Sequence, residues 1–427
     1  MTVGQKNECA FEAPPPFDMA SIDDLRWPND PAELPDWLFT DERIYALERD
    51  RIFRGPTWNY VGLEAELPKG GDYIRSYVGP YPVVVARDMR GEVHAFENRC
   101  AHRGVEFCKT YRGNTRSFVC PYHQWTYDLT GRLAGVPFRR GVGGKGGYPE
   151  DFDLSEHSLR KLNVVCRNGV VFASFSDKVE PLADYLGPEL LAEFDTIFNG
   201  RKLRVLGIHR NVLEGNWKLY QENLKDPYHA TLLHTYLTTF GLFVAGNRTG
   251  IITDAKGRHS ALLNAKPADR PANDESKVDI RSFKPGMKLA DPRVLDFVTE
   301  FDSPWSSSAI TIWPNLILIR QMNILSLRML VPQGPGRFMI VWTAFGYEDD
   351  SAEMTQHRLR QNNIFGPGGF LGIDDNEALK FVQDGLRQSV PRNGIAALGQ
   401  DQESMDTVIT DRAIRHMYRH YRDLMGF

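Results

Sequence analysis

The sequence predicts an α+β protein with an antiparallel β domain, followed by a larger domain in which an antiparallel sheet is covered by helices. Short runs of β-branched and aromatic residues, separated by turn formers, fill residues 58–175. Longer strand-like runs and helical patterns are segregated along residues 186–424. A length of 427 residues, 42% of them hydrophobic, is sufficient for two domains with cores of their own.

We divide the chain into an N-terminal arm and helix (1–54), the β domain (55–175) and the larger domain (176–427). Residues 1–35 are expected to be irregular because they contain Pro14–Pro16 and scattered turn formers. A helix is predicted to begin at Thr40-Asp41, which can cap it, and to continue through Ile52.

The pattern of apolar residues then defines the elements of the two domains. The strands predicted in the β domain are Val61–Leu63, Tyr73–Tyr77, Tyr81–Arg87, Val93–Asn98, Phe118–Val119, Thr126–Tyr127 and Val164–Ser174. The helices predicted beyond it are Leu186–Phe198, Asn216–Leu233, Ala352–Ile364, Ala378–Arg387 and Thr410–Leu424. The strands predicted among them are Lys202–Leu213, Ala309–Leu318, Ile324–Val331 and Phe338–Tyr347.

Charge and hydropathy exclude several classes of partner. The net charge is −4, from 51 basic and 55 acidic residues, and no basic block is present, so a nucleic-acid partner is not expected. No run of 18 apolar residues occurs, and residues 1–17 are polar and Pro-rich, unlike a signal peptide. We therefore expect a soluble, cytoplasmic protein without a membrane partner.

Two short Cys/His pairs are the strongest functional signal. Cys100-Ala-His102 is followed after seventeen residues by Cys120-Pro-Tyr-His123. In a Rieske [2Fe–2S] cluster two thiolates hold one iron and two imidazoles hold the other. Trp125, two residues after the last pair, is expected to shield such a cluster from solvent. A Rieske cluster transfers single electrons, so the pattern points to redox chemistry.

Two other interpretations of these four residues are a disulfide between Cys100 and Cys120 and a structural zinc site. Five cysteines in 427 residues are sparse and odd in number, unlike a secreted disulfide framework. Both pairs lie on Gly- or Pro-bearing loops between predicted strands, which favours the cluster over zinc. The remaining cysteines are expected to be plain thiols: Cys9, Cys108 and Cys166.

A second metal site is suggested by His229 and His234, with Asp226 one turn before them. Two histidines and one carboxylate can hold Fe(II) and leave positions open for O₂. On one regular helix the two histidines would lie about 140° apart and would not converge. The hypothesis therefore requires a helix end or a π-bulge between them.

The carboxylate ligand must come from elsewhere, and Asp374-Asp375 are the candidates. They follow residues 365–372, a glycine-rich stretch that allows close backbone approach. Consecutive helical residues point about 100° apart, so only one aspartate can face the iron. A solvated helix start is the alternative interpretation of this acidic pair.

Together these motifs resemble the large (α) subunit of Rieske non-haem iron ring-hydroxylating oxygenases, over essentially the whole chain. The cluster ligands that the resemblance implies are Cys100, His102, Cys120 and His123, and the ligands it implies for the mononuclear iron are His229, His234 and Asp375, with Asp374 as the fallback. Asp226 matches the acid that joins an iron-ligand histidine to a cluster-ligand histidine of the adjacent subunit.

The same resemblance implies the assembly and its partners. It predicts a cyclic trimer, usually completed to α₃β₃ by a small β subunit, that uses O₂ and NADH-derived electrons from a separate reductase, with or without a ferredoxin. The segments most similar to the branch acting on aromatic carboxylates are 96–104, 135–141 and 216–223. That branch includes salicylate 5-hydroxylase, anthranilate dioxygenase and terephthalate dioxygenase, of which the salicylate type is the most similar.

A substrate carboxylate would need a cation, and Arg320 in a predicted apolar strand is the candidate, although an Arg at a strand edge or subunit interface is the competing interpretation. The alternative enzyme is a Rieske oxygenase that acts on a neutral arene or as an oxidative demethylase. The alternative outside enzymes is an electron carrier or redox sensor with a vestigial iron site. Mono- and dioxygenation share the same ligands, so the sequence leaves that choice open.

Overall fold

A computed structural model describes residue 22 and residues 24–244, 246–266, 280–388, 390, 392–401 and 407–427. Cys9 and Pro14–Pro16 lie outside the described residues, as does most of the predicted irregular arm. In the described part of the chain, no helix combines the length and the apolar character needed to span a membrane.

The elements follow in chain order. The strands are β1 (Glu33–Pro35), β2 (Asn59–Leu63), β3 (Asp72–Val78), β4 (Tyr81–Arg87), β5 (Val93–Glu97), β6 (Arg112–Asn114), β7 (Ser117–Val119), β8 (Thr126–Asp128), β9 (Leu133–Gly135), β10 (Lys161–Arg167), β11 (Val170–Ser174), β12 (Leu203–Leu213), β13 (Thr249–Thr253), β14 (Ser260–Ala265), β15 (Trp305–Ile312), β16 (Leu316–Gln321), β17 (Ile324–Gly334), β18 (Arg337–Tyr347) and β19 (Asn393–Ile395). The helices are α1 (Trp37–Thr40), α2 (Glu42–Glu48), α3 (Leu182–Leu186), α4 (Pro188–Ile197), α5 (Trp217–Asn223), α6 (Pro227–Leu232), α7 (Thr235–Thr239), α8 (Ala352–Phe365), α9 (Phe370–Gln388) and α10 (Arg412–Met425).

The β domain is an antiparallel sheet in the order β2-β11-β10-β5-β4-β3-β6, with a second sheet β7-β8-β9. The predicted run Val164–Ser174 is two strands, because Asn168 and Gly169 both take positive φ and reverse the chain. β6 and β9 were not predicted, whereas the equally short β7 and β8 were.

The larger domain is built on a seven-stranded antiparallel sheet in the order β12-β18-β17-β16-β15-β14-β13. The predicted strand Ala309–Leu318 is instead β15 and β16, separated by a turn that contains the cis Trp313–Pro314 bond. One face of this sheet packs on a core that includes α4, and the other face on a core that includes α5 and α10. The α+β prediction is confirmed.

The helices differ from prediction mainly around residues 216–233. Asp41 caps α2 by accepting a hydrogen bond from the backbone of Arg43, as predicted. The predicted helix Asn216–Leu233 is wrong as a single element, because the chain breaks at residues 224–226 and continues as α6. α9 begins eight residues earlier than predicted, so Asp374 and Asp375 lie within a helix rather than before one.

Contacts between distant segments hold α5 in place. The side chains of Glu48 on α2 and Lys218 on α5 are completely buried and their charged atoms lie 2.6 Å apart. Glu48 also accepts hydrogen bonds from Trp217 Nε1 and the Tyr421 hydroxyl. These contacts join α2, α5 and the C-terminal helix α10 around one buried charge pair.

Candidate metal centres

The first candidate centre lies on two similar loops of the β domain. The backbone carbonyl of Cys100 accepts a hydrogen bond from the N–H of Gly104 at 2.8 Å, and the carbonyl of Cys120 accepts one from the N–H of Gln124 at 2.9 Å. Gly104 and Gln124 both have positive φ, which closes each loop tightly. The loops bring the rings of His102 and His123 to a centroid distance of 4.5 Å.

The donor atoms of these loops fit a [2Fe–2S] cluster. Nδ1 of His102 and Nδ1 of His123 are both buried, and neither has a hydrogen-bond partner in the described part of the chain. Cys100 and Cys120 are free thiols with only 2% and 1% of their surface exposed. Burial raises the pKa of the Cys120 thiol although N–H groups of Tyr122 and His123 donate to its sulfur. Two buried sulfurs and two unpartnered imidazole nitrogens are the donor set of a [2Fe–2S] cluster, whose iron would bind the sulfurs as thiolates.

Aromatic side chains surround this centre. The Tyr127 hydroxyl lies 3.2 Å from Cys100 Sγ and accepts from the backbone N–H of residue 101 at 3.1 Å. Trp125 is buried and stacks on His102, with ring centroids 4.9 Å apart and planes inclined by 8°. The sequence suggested the position of Trp125 but not that of Tyr127, whose contact with the cysteine depends on the pairing of β7 with β8.

The second candidate centre depends on the helix break. Asp226 caps α6 by accepting from the backbone N–H groups of Tyr228 and His229, and Pro227 occupies the first helical position. α6 ends at Leu232, and His234 adopts an extended conformation before α7. This helix end lies between the two histidines, as their convergence requires.

His229, His234 and Asp375 offer one ligand atom each within 4.8 Å of one another. Oδ1 of Asp375 lies 3.5 Å from Nε2 of His229 and 3.2 Å from Nε2 of His234. The three side chains come from α6, from the start of α7 and from α9. Their arrangement can hold a divalent metal by two imidazoles and one carboxylate.

Neighbouring polar groups orient this triad. Asp226 Oδ2 lies 3.2 Å from Nδ1 of His229, and Asp374 Oδ2 lies 3.2 Å from Nδ1 of His234. The amide of Asn223 lies 3.1 Å from both His229 Nε2 and Asp375 Oδ1. Asp374 thus faces Nδ1 of His234, the outer nitrogen, which points away from the triad. Asp375 faces Nε2 of both histidines, the inner nitrogens, which point into the triad. The role of Asn223 was not predicted.

The electrostatics of the triad favour a cation. Burial lowers the pKa of His229, but its contacts with Asp226 and Asp375 outweigh burial and raise the pKa to about 10. Burial raises the pKa of Asp375, yet the two histidines hold it well below its ordinary value. The carboxylates therefore attract positive charge to this site, and a divalent metal can supply it.

A cavity opens beside the triad toward the sheet, and its walls combine apolar and polar side chains. The residues that line it beyond those already named include Leu224, Phe243, Leu262, Asn264, Ser307, Ala309, Ile319, Arg320, Gln321, Arg328 and Leu371. Arg320 borders the cavity, but its guanidinium donates to Ser303 at 3.3 Å and lies 3.7 Å from Glu193. Those contacts lie on the side of the sheet facing α4, and the Nε and Nη1 atoms of Arg320 are buried without a hydrogen-bond partner among the described residues. The contact of Arg320 with substrate stays a prediction.

Comparison with known families identifies the two halves of this arrangement. Residues 57–144 match the Rieske [2Fe-2S] domain, and residues 201–426 match the catalytic domain of the ring-hydroxylating alpha subunit. The chain belongs to the ring-hydroxylating oxygenase α-subunit family. It is an oxygenase, and its cofactors are a Rieske [2Fe–2S] cluster and a mononuclear non-haem iron. The family predicted from the Cys/His and His/Asp motifs is confirmed.

Several relatives are similar over nearly their full length. The large oxygenase component of salicylate 5-hydroxylase from Ralstonia sp. is 46% identical, covering 94% of this chain and 97% of the relative. The large subunit of anthranilate 1,2-dioxygenase from Burkholderia cepacia is 42% identical, covering 95% and 96%. Subunit alpha 2 of the terminal oxygenase component of terephthalate 1,2-dioxygenase from Comamonas sp. is 39% identical, covering 92% and 95%.

The fold also matches a solved oxygenase of this family. Naphthalene 1,2-dioxygenase from Rhodococcus sp., bound to indole, superposes with a TM-score of 0.76 at 25% identity, covering 92% of this chain and 94% of that one. The names of these relatives describe a large oxygenase component and a subunit of a terminal oxygenase component. The electron-carrier alternative is not supported by these similarities.

Proposed function

We propose that the protein hydroxylates an aromatic carboxylate, with salicylate or a related substituted benzoate as the substrate. The observation that carries this proposal is the polar cavity beside the triad, which contains a buried arginine, Arg328, together with neutral hydrogen-bonding side chains. Full-length similarity to enzymes named for salicylate, anthranilate and terephthalate supports the same class of substrate.

The proposed ligands follow the geometry of the two centres. The cluster is held by Cys100, His102, Cys120 and His123, and the mononuclear iron by His229, His234 and Asp375. When bound, the cluster stores single electrons and the iron activates O₂ beside the arene. The surrounding side chains keep the imidazoles oriented, bind one end of the substrate and limit the entry of water.

The working unit is proposed to contain more than one copy of this chain. Asp226 connects His229 to a cluster histidine of a neighbouring subunit in a cyclic trimer, with small β subunits completing an α₃β₃ assembly. Its side chain keeps 24% of its surface exposed while it contacts His229, which leaves one edge free for a second partner. NADH-derived electrons arrive from a separate reductase, with or without a ferredoxin.

Product analysis under ¹⁸O₂ tests the proposed function. The purified oxygenase, its reductase and NADH are combined with salicylate, anthranilate, benzoate, terephthalate and one neutral arene. We expect conversion of at least one acid, and the number of labelled oxygens distinguishes a hydroxylase from a dioxygenase. Conversion of the neutral arene alone would contradict the carboxylate substrate.

A further inference from the structure

Arg328 is a buried cation at the wall of the cavity beside the iron site. It lies on β17, with 5% of its surface exposed. Its Nη1 donates to the Tyr220 hydroxyl at 2.9 Å, and its guanidinium lies 3.9 Å from the ring centroid of Trp342. Its Nε is buried and has no hydrogen-bond partner among the described residues, which is also true of Nε and Nη1 of Arg320. Arg328 thus has hydrogen-bond donor capacity that no described protein group uses.

Among the described residues, no carboxylate forms an ion pair with Arg328. Among the residues that the structure describes, its one hydrogen-bonding partner is a neutral hydroxyl. A buried cation is stable only when an opposite charge and hydrogen-bond acceptors meet it. An anionic ligand in the adjoining cavity would supply both, since a guanidinium matches the geometry of a carboxylate.

Strand alternation separates Arg328 from Arg320. On β16 and β17, Ile319 pairs with Ser326 and Ile317 pairs with Arg328, so these side chains share one face of the sheet. Ile319 belongs to the core that contains α5, and Arg328 reaches Tyr220 on α5. Arg320 points to the other face, where it meets Glu193 of α4.

We propose that Arg328 binds the negatively charged group of the substrate and thereby determines a preference for aromatic acids over neutral arenes. This inference rests on the proposed function, because it assumes that the cavity beside the iron site receives the substrate. The stacked Trp342 and the hydrogen bond to Tyr220 hold the guanidinium in one orientation. The apolar walls contributed by Leu224 and Ile319 then receive the aromatic ring.

The cavity has a second polar end, formed by side chains that share a cross-strand row: Asn264, Ser307 and Gln321. Gln321 lies four residues along β16 from Ile317, the partner of Arg328, which corresponds to about 13 Å. A single aromatic ring with one carboxylate is shorter than this separation. The carboxylate of such a substrate therefore binds at one end of the cavity only. The positive charge of the Arg328 guanidinium favours the end at which Arg328 lies.

The test compares Arg328→Gln with Arg320→Gln. Both substitutions remove a buried arginine from the same sheet, but from opposite faces. The measured quantity is the ratio of kcat/KM for an acid that the wild type converts, such as salicylate, to that for its neutral amide. We expect Arg328→Gln to lower this ratio by roughly 10- to 100-fold, mainly through KM for the acid, and Arg320→Gln to leave it unchanged.

Binding measurements supply a second readout that does not depend on turnover. Calorimetric titration with salicylate and salicylamide should show weaker binding of the acid alone in Arg328→Gln, and partial recovery in Arg328→Lys, which keeps the charge without the fork. Cluster absorption and iron content establish that each variant is loaded. If neither arginine variant loads, a crystal structure of the wild type with bound salicylate decides: a carboxylate within hydrogen-bond distance of Arg328 supports the proposal.

Three results would overturn it: an unchanged acid-to-amide ratio in loaded Arg328→Gln, an equal fall of the ratio in both variants, or a carboxylate bound at Gln321 in the crystal. These outcomes differ from failure of the proposed function. If the wild type converts no acid at all, the substrate class is wrong; if it converts acids and Arg328→Gln keeps the preference, only the role of Arg328 is wrong.

Discussion

At the scale of single residues, each histidine of the proposed iron site is held from both sides. Asp375 faces the inner nitrogens of His229 and His234, and separate aspartates contact their outer nitrogens. The contact of Asp374 with His234 is a hydrogen bond, which fixes the orientation and the tautomer of an imidazole, whereas the contact of Asp226 with His229 is close but lacks hydrogen-bond geometry. The two outer aspartates differ in surroundings, however, because Asp226 also caps α6 whereas Asp374 lies within α9.

Replacement of Asp226 by Asn tests the role proposed for this residue. The amide oxygen can still cap α6, so we expect a folded protein that retains both metal centres. Loss of the charge beside His229 should reduce turnover by at least roughly 10- to 100-fold. Iron analysis, cluster absorption and steady-state rates measure these effects. Asp374→Asn is the matched control, and equal losses in both variants, or full activity in Asp226→Asn, would argue against a special role for Asp226.

His259 should make the stability of the protein depend on pH. Burial lowers the pKa of His259 to about 3, and its ring nitrogens accept from the backbone N–H of Trp313 and donate to the carbonyl of Tyr185, each at 2.9 Å. Between pH 6.5 and 3 the unfolded chain binds a proton that the folded protein excludes. The free energy of unfolding should therefore fall as the pH is lowered, by up to about 1.4 kcal/mol per pH unit from this residue.

Urea unfolding of the wild type and of His259→Gln at pH values between 7 and 4.5 measures this contribution. The variant cannot take up the extra proton, so its stability should fall less steeply over the same interval. His416 and His420 also have pKa values lowered to about 4 by burial, and they contribute equally to both proteins. Parallel slopes for the two proteins would contradict the assignment to His259.

At the scale of elements, the second centre depends on two helix ends, one at the break before Asp226 and one between His229 and His234. Lys225 lies in this break, and its buried Nζ donates to the carbonyl of Arg258 at 3.3 Å and to the Ser260 hydroxyl at 3.2 Å. It also contacts the hydroxyl of Thr311. These contacts attach the break to β14 and β15, immediately before the residue that caps α6. The later end of α6 at Leu232 is the one that lets His229 and His234 converge, because one continuous helix through both would carry them to different faces.

The ion pair of Glu48 with Lys218 should be essential to the packing of α2, α5 and α10. Lys218→Met leaves a buried carboxylate without its cation, and we expect the free energy of unfolding to fall by about 3 kcal/mol or more. The double variant Glu48→Gln/Lys218→Met removes both charges and should recover part of this loss. Urea denaturation of the single and double variants measures both quantities; a double variant less stable than Lys218→Met would contradict this account.

At the scale of the whole molecule, the proposed trimer can be tested by complementation between defective chains. One chain carries Cys100→Ser and lacks the cluster; the other carries Asp375→Ala and lacks the iron. If electrons pass between subunits, random mixing in a cyclic trimer should restore about a quarter of wild-type activity. At each subunit contact the cluster is intact in about half of the cases and the iron in about half, and both must be intact for turnover. Coexpression, purification and steady-state assay measure the recovery. If electrons pass only within one chain, the mixture should be inactive. Each variant assayed alone is the control and should also be inactive.

The sequence by itself determined the fold class, the family and the cofactors of this protein. The motif around Cys100 and Cys120 is short enough for its spacing to report the geometry of its own loops, and most strands and helices follow a local period of apolar residues. Local patterns failed where turns interrupted them. The Trp313–Pro314 turn divided one predicted strand, and the cap at Asp226 divided one predicted helix.

Only the tertiary structure decided how residues distant in sequence face one another. Asp374 and Asp375 are neighbours with the same chemistry, and the rotation of α9 against α6 turns Asp375 to the inner nitrogens. Arg320 and Arg328 are both buried in apolar strands, and the register of β16 with β17 places them on opposite faces of the sheet. A sequence records each side chain, but the face on which it lies depends on strand pairing and helix packing over the whole chain.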